Sequence, residues 1–126
     1  MVEITKLSFE EQVGLRPDRL AELYLQLGKA NAEDVVCRAI EELAVRLKNI
    51  EGMDRTSELA KVRKKAKGLI GIAEQIGMQR LADVAHDLQY CAGENDPVAF
   101  AAVMARLLRV GDYSLIAVWD LQDLSG

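Results

Sequence analysis

The sequence predicts an all-α protein, and two observations carry that prediction. Apolar residues recur at spacings of three and four through several long segments, as the buried faces of α-helices require. These segments are joined by short connections, and turn pairs such as Asn-Gly that mark β-hairpins are absent from the sequence. Short connections between long helices favour antiparallel neighbours, so we predict an up-and-down four-helix bundle with an N-terminal capping helix and a short C-terminal extension.

The first two predicted helices are bounded by proline, asparagine and glycine. Pro17 suits the first turn of a helix that ends at Gly28. Asn31, with Asp34 three residues later, resembles a capping pair for the second helix, which runs to Gly52. The residues predicted to face inward on these helices are Leu20, Leu23, Tyr24, Leu27, Val36, Ile40, Leu43, Leu47 and Ile50.

The third helix has the most regular apolar pattern in the sequence, and it contains an unexplained feature. It is predicted to begin near Asp54 or Thr56 and to end at Gly77. Gly68 and Gly71 lie inside it, although each glycine costs a helix interior about 0.5–1 kcal/mol relative to alanine. A local requirement for bare backbone is therefore expected. The inward stripe is Leu59, Val62, Ala66, Leu69, Ala73 and Ile76.

Two further helices and a final segment complete the predicted fold. The fourth helix spans about 79–91, and Asp96 followed by Pro97 opens the fifth. Gly111 and Asp112 are predicted to interrupt the fifth helix. The remaining stretch, YSLIAVWDLQDL, is predicted to be a last short helix in preference to a strand.

The chain length fits one domain with a single core. A chain of 126 residues buries about two-thirds of its unfolded surface on folding. We therefore assign residues 1–126 to one helical domain, in which 1–15 form an N-terminal extension, 31–110 the bundle core and 112–126 a C-terminal extension.

Composition and charge exclude several classes of partner. The net charge of −4 gives no general attraction to a nucleic acid backbone or an anionic membrane. The start, MVEITKLSFEEQ, lacks the layout of a signal peptide, and no apolar run approaches the length of a spanning helix, so a cytoplasmic location is expected. Cys37 and Cys91 belong to no CxxC pair and are interpreted as small buried hydrophobic residues.

Signs of catalytic chemistry are scarce. The sequence has no P-loop, no G-x-G-x-x-G, no G-x-S-x-G and no H-E-x-x-H motif, so we expect no enzymatic activity, no metal and no cofactor. His86 is the one histidine, and it lies more than about 100° from the centre of the apolar arc of the fourth helix. It is expected to face water, where a phosphoryl acceptor role remains an alternative to a plain solvated side chain.

Three features, the run from Ala66 to Ala73, the turn Ile76-Gly77 and the following helix RLADVAHDL, carry a resemblance. From Val62 to Leu108 the chain resembles the histidine-containing phosphotransfer domains of bacterial phosphorelays. The signature of that family is alanine, histidine, any residue, leucine, lysine, glycine and small residues, then a leucine-glycine turn and another helix. The chain matches this frame without a gap. The resemblance implies a four-helix bundle that exchanges phosphoryl groups with receiver domains.

Two departures from the family signature change the implied function. Lys67 occupies the place of the phosphorylated histidine, and Ile70 occupies that of the companion lysine. A lysine ammonium has no lone pair with which to accept a phosphoryl group, whereas a neutral imidazole has one. The resemblance therefore implies a degenerate member of the family without phosphocarrier activity.

The expected role is the binding of a receiver domain or a histidine kinase through Lys64, Lys67, Ile70 and Gly71. Gly71 lies one turn after Lys67 and corresponds to the glycine that, in the family, clears space for the receiver. Two alternatives remain open. The chain could be an active carrier that uses His86, which would require docking on a different face, or a structural helical-bundle interaction protein unrelated to phosphorelays.

Overall fold

The computed structural model describes residues 14–53, 59–94 and 96–125, with the side chains of 121–125 excepted. Every regular element in this part of the chain is a helix, and one isolated bridge joins Leu15 to Met78. The all-α prediction is therefore confirmed. The helices are α1 (Pro17–Leu27), α2 (Lys29–Glu51), α3 (Leu59–Gln75), α4 (Gln79–Ala92) and α5 (Pro97–Ser125).

Helices α2 to α5 contact one another in a closed sequence around one core. α2 packs on α3, α3 on α4, α4 on α5, and α5 returns to α2, while α1 packs on α2. The pattern of apolar residues explains this arrangement, because the predicted inward residues of α2 and α3 are almost all buried. The largest fully buried side chains are Leu43, Ile50, Leu69, Ile76, Met78, Leu81, Leu88 and Leu107.

Three predicted helix boundaries are confirmed by the local geometry. Pro17 is the first residue of α1, where its missing N–H costs no hydrogen bond. Gly28 follows the end of α1 with φ +79°, a conformation that glycine adopts readily. Before α5, the side chain of Asp96 accepts a hydrogen bond of 3.0 Å from the backbone N–H of Ala99, as an N-terminal cap does.

The predicted cap of α2 is wrong, and Asn31 has a different role. α2 begins at Lys29 directly after Gly28, so Asn31 lies inside its first turn. The Asn31 side-chain amide donates to the backbone carbonyl of Leu27 at 3.1 Å. That carbonyl is at the C-terminal end of α1, where intrahelical partners are lacking. Asn31 therefore joins two consecutive helices and does not begin one.

The turn between α3 and α4 is closed by Gly77. Its N–H donates to the carbonyl of Glu74 at 3.3 Å, and the N–H of Met78 donates to the carbonyl of Ala73 at 2.8 Å. These two bonds and the φ of +79° at Gly77 define a Schellman motif. The carbonyl of Gly77 also accepts from the N–H of Arg16 at 2.8 Å, so the start of α1 is fixed to this end of the core.

The predicted break at Gly111 and Asp112 is wrong, because α5 continues as one helix from Pro97 to Ser125. Gly111 is buried against α2, and a Cβ atom built on it would lie 2.7 Å from a methyl carbon of Leu47. The glycine therefore serves a close approach of two helices. The preference for helix over strand in the final segment is confirmed.

The predicted start of the third helix, at Asp54 or Thr56, lies outside the described residues. Among the helices that are described, none is both long and apolar enough to cross a membrane.

Candidate docking face on helix α3

The exposed side of α3 includes a stripe of four residues, Lys64, Lys67, Gly71 and Glu74, which we call the α3 face. At about 100° per residue, spacings of three and four place them on the side opposite the buried stripe. All four are exposed, whereas Val62, Ala66, Leu69 and Ala73 are buried. The sequence predicted Lys64, Lys67 and Gly71 as members of this surface, and the structure brings them together.

Gly71 lies near the centre of the α3 face and has open space above it. A Cβ atom built on Gly71 has no neighbour within 4 Å outside its own helix backbone. The described part of the chain therefore offers no packing reason for glycine at this position. Because an alanine there would favour the helix by about 0.5–1 kcal/mol, the missing side chain brings no benefit to the folding of the described helices.

Gly68, by contrast, is covered by a neighbouring helix. The Nη1 atom of Arg46 on α2 lies directly over the position that a Gly68 Cβ would take. The Nε and Nη2 atoms of Arg46 donate to Oε1 of Glu42 at 3.1 and 2.9 Å, which holds the guanidinium in place. The two glycines of α3 thus have different explanations, and Gly71 alone is left without one inside the described chain.

The N-terminal half of α3, which includes Lys64 and Lys67 of the α3 face, carries concentrated positive charge on an acidic protein. Five of the 16 lysines and arginines lie in the seven residues from Lys61 to Lys67, although the net charge is −4. Within the described residues, Lys64 and Lys67 form no ion pair. Since no carboxylate of the described residues pairs with them, these ammonium groups are available to an anionic partner.

The structure corrects the placement of Ile70. It is 8% exposed and belongs to the hydrophobic core. The cause is the packing of α4 along this flank of α3. Gln89 of α4 donates to the carbonyl of Arg63 at 3.1 Å, and His86 of α4 lies beside Glu74, so α4 covers the flank of α3 to which Ile70 belongs. Ile70 is consequently a core residue and not part of the α3 face.

His86 faces solvent, as predicted, but its location differs from the expected one. Its side chain is 55% exposed, and Nε2 lies 3.8 Å from Oε1 of Glu74. Glu74 follows Gly71 by three residues on the α3 face. The histidine therefore adjoins the surface that holds Lys67, and docking at His86 would not require a different face of the molecule.

Sequence reasoning missed Glu74 as a member of this surface. The signal was present, because Glu74 continues the spacing of Lys67 and Gly71 along the exposed side of α3. Its contact with His86 could not be read from the sequence, since it depends on how α4 turns relative to α3.

Among the described residues, the cysteines and acidic side chains do not form a second site. Cys37 and Cys91 are not joined by a disulfide and are partly buried, whereas the sequence predicts buried residues. Partial burial raises the pKa of the Cys91 thiol, and the nearby carboxylates of Asp87, Asp96 and Glu94 add to that effect. In the ranges that the structure describes, no three histidine, cysteine, aspartate or glutamate side chains are grouped as metal ligands would be.

Comparisons with protein-family models, with curated proteins and with solved structures give no match to this chain. Functional inference accordingly depends on the geometry of the α3 face and on the resemblance of its sequence.

Proposed function

We propose that this chain is a phosphotransfer-domain-like binding module that docks a receiver domain, or a histidine kinase, of a two-component system on the α3 face without carrying phosphate. The observation that carries the proposal is Gly71, which is exposed, has free space above it, and lies between Lys67 and Glu74 in the C-terminal half of α3. A glycine that costs helix stability and fills no packing role leaves room for another molecule.

The fold that belongs to this proposal is an up-and-down antiparallel four-helix bundle of α2 to α5, with α1 as the capping helix. The closed sequence of helix contacts supports it, as do the short connections between α3, α4 and α5. A cytoplasmic location is part of the same proposal, in keeping with the expectation from the sequence.

Docking is explained by charge and clearance. The active site of a receiver domain is rimmed by aspartates, and the ammonium groups of Lys64 and Lys67 are complementary to such a rim. The bare backbone at Gly71 lets loops of the partner come close to α3 without meeting a side chain. Binding then needs no rearrangement of the helices, since the α3 face is already exposed.

Two features oppose phosphate carriage on α3. The Lys67 ammonium has no lone pair to form a bond with phosphorus. Ile70, at the place where the family has a companion lysine, is buried in the core and cannot supply a cation to phosphoryl oxygens.

An active carrier that uses His86 is the second candidate, and one observation favours it. His86 is exposed and adjoins the α3 face, so a partner docked there would come near its ring. Transfer would form an N–P bond on the imidazole and break the O–P bond of an aspartyl phosphate, which releases the carboxylate. Against this, the Glu74 carboxylate near Nε2 repels phosphoryl oxygens, and this repulsion places the candidate second.

The two candidates are separated by one pair of assays. The purified chain is mixed with radiolabelled phospho-receiver domains encoded in the same genome, and both label transfer and binding affinity are measured. The proposal expects saturable binding to a receiver without label on this chain. Acid-labile label that is lost in His86→Ala would establish the carrier and overturn the proposal.

A further inference from the structure

The outer face of α5 carries a regular stripe of residues that the core does not use. These positions alternate in spacing between four and three, which is the heptad pattern of helices that pair along a seam. All of them are exposed, and Val98, Ile116 and Trp119 are 78%, 53% and 56% exposed. We call this set the outer stripe, and it consists of Val98, Ala102, Ala105, Arg109, Asp112, Ile116 and Trp119.

The outer stripe is not explained by contacts inside the described chain. The opposite side of α5 packs into the core through Phe100, Met104 and Leu107. The apolar side chains of the outer stripe are on the other side of the helix and remain exposed to solvent. Among the described residues, Arg109 and Asp112 at the middle of the stripe have neither an ion pair nor a side-chain hydrogen bond. A helix that is apolar on two sides is typical of one packed on both.

We propose that the outer stripe is a homodimer interface in which two copies of α5 pack antiparallel about a two-fold axis between residues 110 and 111. This register follows from the charges. In an antiparallel pair with a two-fold axis, each contact occurs twice, so Arg109 meets Asp112 of the second copy and Asp112 meets its Arg109. The only two charged residues of the outer stripe then form two reciprocal ion pairs at the centre of the seam.

The same register matches large side chains to small ones on either side of these ion pairs. Ile116 of one copy lies opposite Ala105 of the other, and Trp119 lies opposite Ala102. The alanines let the two helix backbones approach, and the isoleucine and tryptophan fill the space over them. In this register each pair of opposed residues combines an a position of one helix with a d position of the other, as antiparallel coiled coils require. Charge and size therefore select the same alignment.

This dimer leaves the proposed docking face free. α3 and α5 are not neighbours in the sequence of contacts that runs from α2 to α5. The α3 faces of the two copies would thus remain exposed, and a dimer would present two of them. Dimerisation rests on α5 alone, so it can hold or fail independently of receiver binding.

Charge reversal tests the proposal through the mass of the full chain in solution. Sedimentation equilibrium is run from about 1 μM to about 1 mM for wild type, Arg109→Asp, Asp112→Arg and the double variant that exchanges the two charges. Wild type is expected to approach twice its 13.9 kDa mass. Each single reversal creates two like-charge contacts and should weaken dimerisation at least about tenfold, and the double exchange should restore it.

The outcomes decide the proposal in either direction. Lys64→Asp on α3 is the matched control for a reversed charge and should dimerise as wild type does. Circular dichroism checks that each variant is folded, which is expected because both exchanged residues are exposed. A wild type that stays monomeric to about 1 mM overturns the interface, as does a folded double variant that dimerises no better than the single ones.

Discussion

The guanidinium of Arg46 lies over the bare backbone of Gly68, and this contact distinguishes Gly68 from Gly71, the other glycine inside α3. Gly68 gives room to a side chain of α2 that two hydrogen bonds hold on Glu42. Gly71, one turn further on, has no neighbour above it. Alanine substitutions at Gly68 and Gly71 therefore test whether the fold needs glycine at position 71.

Gly71→Ala should raise the free energy of unfolding by about 0.5–1 kcal/mol, because alanine favours the helix and nothing opposes its Cβ. Gly68→Ala should show less gain, since the new Cβ displaces Arg46 from its place beside Glu42. Urea denaturation of both variants measures the difference. A loss of stability in Gly71→Ala would mean that the helix needs glycine there for its own packing.

The turn that orients α4 should depend on Gly77. In Gly77→Ala a left-handed φ of +79° costs about 1–2 kcal/mol, and the Cβ would also lie 2.7 Å from the carbonyl oxygen of Arg16. Gly77→Asn is the matched variant, because asparagine tolerates a positive φ better than alanine but carries the same Cβ atom. Thermal unfolding should show a loss of stability in both variants, and the loss that remains in Gly77→Asn reports the contact with Arg16. A Gly77→Asn variant as stable as wild type would remove the role assigned to the Arg16 contact.

Receiver binding should be sensitive to the charges of the α3 face. Lys64→Glu and Lys67→Glu are each expected to weaken affinity by roughly 1 kcal/mol, or about fivefold, and to reduce its dependence on salt. Lys48→Glu is the control, because Lys48 borders a groove between α2 and α5 on another side of the molecule. Titration calorimetry at two salt concentrations measures the effect, and an equal loss in Lys48→Glu would show a general charge effect only.

The Cys91 thiol should react slowly with alkylating reagents. Its pKa is raised above the ordinary value by partial burial and then by nearby carboxylates, so less thiolate is present at pH 8 than in an unfolded chain. Because its pKa is raised, the protonated Cys91 thiol contributes to the free energy of unfolding. This contribution is fully present below the thiol pKa of the unfolded chain and is lost as pH rises through the thiol pKa of the folded protein. Iodoacetamide labelling of a Cys37→Ser variant, native and in urea, should be faster in urea. Equal rates would contradict the raised pKa.

The spacing of apolar residues is enough to predict the helices. It does not predict whether a given glycine ends a helix or allows a close approach of two helices. Gly28 and Gly77 follow helix ends, as the sequence predicts, whereas the predicted break at Gly111 lies inside α5. Both uses follow from the missing Cβ. The neighbour that decides between them, Leu47, lies on another helix and is remote in sequence.

The candidate site was predictable to the extent that it lies on one helix. Lys64, Lys67 and Gly71 share a face by their spacing alone. The burial of Ile70 and the nearness of His86 depend on where α4 packs, and no spacing within α3 contains that information. The choice of a receiver domain as the partner comes from the resemblance of the sequence.

The central claim is that the α3 face docks a receiver domain. Its most direct test is a nuclear magnetic resonance titration of the isotopically labelled chain with the receiver domains encoded near its gene, each with and without phosphate. We expect the largest shift changes at the amides of Lys64, Lys67, Gly71 and Glu74, with no covalent change at His86. Shift changes confined to other helices, or none with any receiver, would contradict the account.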